Sequence, residues 1–68
     1  MSQSQKVLRH LKTGRGITPL IAMQHYGVMR LAAVVYRLRN SGYKIKTIMK
    51  KDARGIEYAE YRLVGGMF

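Results

Sequence analysis

The apolar residues of this chain change period once, at Gly42, and that switch constrains the fold more than any other feature. Within residues 29–41, Leu31, Val34, Val35 and Leu38 fall at i, i+3, i+4 and i+7, the single buried stripe of an amphipathic helix. Arg30, Ala33, Arg37 and Asn40 fall on the opposite side. After Gly42, Tyr43, Ile45, Thr47 and Met49 alternate with Lys44, Lys46, Ile48 and Lys50, the pattern of a half-buried strand edged with lysines, its register open around Ile48. Lys51-Asp52-Ala53-Arg54-Gly55 has turn chemistry, and Ile56, Tyr58, Glu60 and Arg62 then alternate with Glu57, Ala59, Tyr61 and Leu63. The spacing therefore predicts a hairpin after a helical half, an α+β chain with its elements segregated.

The helical half subdivides at its glycines. From Gln3, Val7, Leu8 and Leu11 recur at helical spacing, with Lys6, Arg9, His10 and Lys12 on the other faces, until Gly14 and Gly16 interrupt. Thr18-Pro19 pairs an N-cap side chain with a residue suited to the first helical turn, so a short second helix is expected to run to about His25. Gly27 ends it by taking positive φ at little cost, and Val28 anchors the following turn. The third helix is expected to begin at Met29, and Asn40-Ser41-Gly42 to close it. Residues 1–64 read as one domain and residues 65–68 as a flexible tail whose Phe68 folds back on the core or docks on a partner.

A chain of 68 residues without cysteine has neither disulfide nor thiolate metal site to staple a small core, so packing must hold it. At 47% hydrophobic residues it is too apolar for the disordered class. The longest uncharged stretch, residues 16–29, is shorter than the ~20 residues a membrane span needs. The first residues lack the basic-then-apolar order of a secretory signal, which makes a cytoplasmic, nucleoid-associated location the expectation. The charge is one-sided: 13 Lys and Arg oppose 3 Asp and Glu, a formal net charge of +10, and Asp52, Glu57 and Glu60 all lie in the hairpin region. Self-repulsion of that size points to a polyanionic partner.

Tyr26-Gly27-Val28, Arg30-Leu31-Ala32-Ala33, Tyr36-Arg37-Leu38-Arg39 and Gly42-Tyr43-Lys44-Ile45 resemble the pattern of the small winged helix-turn-helix modules commonly encoded by phages and prophages. The resemblance covers most of the chain and implies three helices followed by a two-stranded β-hairpin wing. It also implies a role as a transcriptional regulator or DNA-binding accessory protein.

A major groove about 12 Å wide admits one helix, which makes the polar face of the third helix the place to look for base readers. Arg30 and Arg37 can each bond guanine with two donors, Ala33 permits close approach or packs on a thymine methyl, and Met29 sits at the expected helix start. Both arginines also fit a solvated or phosphate-only role. Expected backbone contacts are Thr18 at a helix N-terminus, Arg39 at the edge of the buried stripe, and Lys50, Lys51 and Arg54 at the hairpin tip. Lys44 and Lys46 read as edge protection. Tyr36, Tyr43, Tyr58 and Tyr61 read as core packing rather than base-stacking platforms. His10 and His25 read as ordinary surface or helix-end residues, with no further ligands near them in sequence for a metal.

No nucleophile has a base and an orienting partner, and no glycine-rich loop has phosphate-cradle spacing, so a non-enzyme without cofactor or small-molecule substrate is expected. The leading reading is a sequence-specific double-stranded DNA-binding regulator of a phage or mobile element, working as a homodimer or as side-by-side copies on DNA. Two alternatives stand beside it: a basic winged-helix protein that binds and inhibits an acidic host protein, and a DNA-architectural or excision accessory factor. Single-strand or RNA binding would need exposed aromatic residues, and membrane binding would need its basic residues gathered on one amphipathic helix.

Overall fold

The structure, a computed structural model, describes residues 2–65. Three helices precede one antiparallel hairpin: α1 (Gln3–Lys12), α2 (Pro19–Tyr26), α3 (Leu31–Asn40), β1 (Lys44–Lys51) and β2 (Glu57–Gly65). The expected order is thus present; residues 66–68, with the Phe68 proposed to dock or fold back, lie outside the described residues.

Local chemistry fixes the start of α1, both ends of α2 and the end of α3. At α1 a capping box forms, in which Ser2 Oγ accepts from the Gln5 N–H at 3.2 Å and Gln5 Oε1 accepts from the Ser2 N–H at 3.3 Å. At α2, Thr18 Oγ1 accepts from the Ile21 N–H at 3.2 Å, and Pro19 occupies the first turn, where its missing N–H costs nothing. Gly27 at φ 66° ends α2, turning the chain so that the Val28 N–H donates to the Ala22 carbonyl. At the end of α3, Gly42 at φ 106° lets the Tyr43 N–H reach the Leu38 carbonyl at 3.1 Å.

α3 begins at Leu31, two residues later than its composition suggests. Met29 and Arg30 belong to the turn; Arg30 is the N-cap residue, at φ −121° and ψ 67°, and its side chain caps nothing. Both are helix-compatible residue types, but the Gly27 reversal delays the helix until Leu31 can enter the core.

Val7 and Leu11 of α1, Ala22 of α2, Val28, the Leu31-Val34-Val35-Leu38 stripe of α3, Ile17 and Ile45 form one buried cluster. Leu8, Ile21, Tyr26, Tyr43, Tyr61 and Leu63 pack against it. α1 packs chiefly on α3. Fully burying a side chain the size of Leu11 or Ile17 stabilises the fold by about 1.5–3 kcal/mol.

The hairpin pairs Ile45 with Leu63, Thr47 with Tyr61 and Lys51 with Glu57, with an irregularity between Lys44 and Ile45. The alternation expected to bury Tyr43, Ile45, Thr47 and Met49 together holds only at the base. Tyr43 and Ile45 reach the core, while Thr47 and Met49 are exposed because the outer hairpin projects beyond the helices. Ile48, on the opposite face, is half-buried. The base is clamped by Ile17, which exchanges two hydrogen bonds with Tyr61 at 2.9 and 2.8 Å. The segment between α1 and α2 thus acts as a one-residue third strand.

Candidate nucleic-acid interface

The side of α3 away from the core presents Ala33, Tyr36, Arg37 and Asn40, all exposed, with Met29 and Arg30 exposed in the turn before it. No carboxylate lies on this helix or in that turn. Tyr36 is 66% exposed, which corrects the expectation that it packs in the core. It follows Val35 directly and stands outside the 31-34-35-38 stripe, so helical phase places it outward although its residue type suggests burial. Tyr43, Tyr58 and Tyr61 are half-buried, and Tyr43 and Tyr61 pack against the core.

Arg39 is placed differently. Its Nε and Nη2 donate to the Ile45 carbonyl at 3.1 and 2.7 Å, and Nη2 also donates to Thr47 Oγ1 at 2.9 Å. The guanidinium thereby ties α3 to β1. Thr18 is buried, with its hydroxyl occupied by the cap.

At the hairpin tip, Asp52 builds the loop. Its Oδ1 accepts from the Arg54 N–H at 2.8 Å and the Ile56 N–H at 3.0 Å, and Gly55 takes φ 80°. Asp52 is thus turned to the backbone, while Lys51 and Arg54 are exposed. Lys50 is engaged, its Nζ lying 2.9 Å from Glu60 Oε2.

Glu60 also accepts from Arg62 Nε at 2.8 Å on its other oxygen. The hydrogen bond from Lys50, then that from Arg62, holds its carboxyl below the usual carboxylate range. Gly16 lies against this carboxylate: a Cβ added at Gly16 would stand 2.6 Å from Glu60 Cδ. A side chain at position 16 would therefore displace the Glu60 carboxylate.

His10 is a packing element, not an ordinary surface residue. Its Nε2 donates to the Gly16 carbonyl at 3.0 Å and its Nδ1 lies 2.7 Å from the Tyr26 hydroxyl, so it joins α1, the loop and α2. Among the described residues, no group of three or more metal-ligating side chains is assembled and no helix is long and apolar enough to cross a membrane.

A family model described as the winged helix-turn-helix domain matches residues 2–65, nearly the whole chain. The chain belongs to the winged helix-turn-helix domain family. In this winged helix-turn-helix domain, α2 and α3 are the helix-turn-helix and β1–β2 is the wing. The class is a DNA-binding one and is typically non-enzymatic. No curated protein and no solved structure matches the chain significantly.

Proposed function

We propose that this winged helix-turn-helix domain is a sequence-specific double-stranded DNA-binding protein, a transcriptional regulator of a phage or other mobile element. The carboxylate-free outer face of α3 carries the reading, since its buried stripe leaves Ala33, Tyr36 and Arg37 facing out just beyond Met29 and Arg30. In this reading α3 enters the major groove. Arg30 and Arg37 bond base edges, Ala33 allows the backbone close, and Met29 and Tyr36 supply apolar contact. Lys51 and Arg54 of the wing meet flanking phosphates or the minor groove, and Lys50 joins them only on leaving Glu60. Thr18 contributes through the α2 N-terminus it caps, and Arg39 meets phosphate only with donors beyond those holding Ile45 and Thr47. One such module buries little DNA surface, so useful specificity calls for a homodimer or adjacent copies.

The test is selection from a random duplex library at near-physiological salt, with single-stranded DNA and RNA as competitors. Recovery of a motif supports groove reading, and a repeated or palindromic motif also gives the assembly. Binding that shows no motif and vanishes as salt rises defeats the proposal. Met29 and Tyr36, 75% and 66% exposed, favour one second reading, in which the same face binds an acidic host protein. That reading expects no motif and a stoichiometric protein complex instead.

A further inference from the structure

Three basic residues outside α3 and the wing lie on α1. Lys6, Arg9 and Lys12 recur at every third position, on the flanks Val7 and Leu11 leave free when they turn into the core. Lys6, Arg9, His10, Thr13, Arg15 and His25 line a cleft of about 620 Å³ between α1 and the end of α2. Its lining holds cationic, hydroxyl and imidazole groups and no carboxylate, because Asp52, Glu57 and Glu60 are all on the hairpin. At its floor His10 is hydrogen-bonded to both the Gly16 carbonyl and the Tyr26 hydroxyl.

The position of this cleft matters as much as its charge. α1 packs chiefly on α3, and Val7 and Leu11 share one core with the α3 stripe, so each helix turns its outer face away from that core. The domain is 36 × 22 × 20 Å overall. The exposed cationic groups on this side of α1 are open to a second segment of DNA.

We infer that the α1–α2 cleft is a second phosphate-binding surface, through which one molecule holds a second duplex segment while α3 holds the first. This rests on the DNA-binding reading above. Arg9 and Arg15 supply the main charge, Lys6 extends it, and the His25 ring offers a polar partner to phosphate oxygens, while the Thr13 hydroxyl donates to the His10 carbonyl at 2.6 Å.

The experiment is a bridging assay with the full chain: one duplex is fixed to beads, and capture of a second, labelled duplex is measured with rising protein. A gel titration of one short duplex runs in parallel. The wild type is expected to capture the second duplex, and Arg9→Ala/Arg15→Ala to lower capture about tenfold while single-duplex affinity changes less than about threefold. Arg30→Ala/Arg37→Ala should weaken both readouts. Circular dichroism melting checks that each variant is folded, and Lys6→Gln/Arg9→Gln provides a second cleft variant. Wild-type capture unchanged in both folded cleft variants overturns the inference, as does an equal loss in the two assays, which would make the cleft part of the α3 footprint. Single-duplex binding without capture overturns the second surface alone, whereas absence of any duplex binding overturns the DNA reading itself.

Discussion

At Glu60 three constraints converge on one carboxylate: a lysine across the hairpin, an arginine two positions on, and a glycine whose missing side chain leaves room for it. Because its folded pKa lies below the ordinary value of 4.5, its stabilisation is present above that pH and lost as pH falls through the folded value. Glu60→Gln should therefore cost about 1 kcal/mol at neutral pH and flatten the acid limb of stability below about pH 4.5, measured by urea titration across pH. Gly16→Ala should be destabilising because it expels the carboxylate from between Lys50 and Arg62. In a Glu60→Ala background the same change should cost about 1 kcal/mol less, a coupling that a double-mutant cycle measures. Additive losses would show that the contact does not matter.

At the scale of elements, the proposed function has α3 and the turn before it read bases and the wing hold the backbone. Arg30→Ala or Arg37→Ala should narrow the affinity ratio between a selected site and a scrambled one by about 1–3 kcal/mol. Lys51→Ala should weaken both sites alike and lower the salt slope by about one unit. Tyr36→Ala should leave stability within about 0.5 kcal/mol, because the ring is exposed, while altering site preference; a large loss of stability would return Tyr36 to the core. The elements themselves were legible in the sequence, since Thr18-Pro19, Gly27 and Gly42 act on their immediate neighbours. The outer face of α3 was legible too, except at Tyr36, where residue type outweighed helical phase, and at Met29 and Arg30, which were expected on the helix and stand in the turn before it. What stayed hidden depends on partners distant in sequence: the Ile17–Tyr61 pairing, the Gly16 fit to Glu60, and the commitment of Arg39 to Ile45. No local pattern announces an arginine bonded to a carbonyl of the next element.

The molecule as a whole carries +10 on 68 residues, and only Glu60 among its acids is ion-paired within the described structure. Repulsion among the basic groups should make the free domain a stronger salt responder than its size suggests. Raising NaCl from about 0.02 to about 0.5 M without DNA should raise Tm by a few degrees as screening sets in. With duplex present the dependence should reverse, because salt then displaces the stabilising ligand. Calorimetry in the two conditions checks both signs.

The backbone exchange between Ile17 and Tyr61 also sets the order in which protection is lost. It closes a long loop and is flanked by the core, whereas the tip from Asp52 to Ile56 is held by its own Asx turn and sits in solvent. In amide hydrogen exchange the N–H groups of Ile17 and Tyr61 should open only with global unfolding, while that of Ile56 exchanges through local fraying. The wing is thus a lever whose root is as durable as the fold and whose end is free to adjust to what it touches.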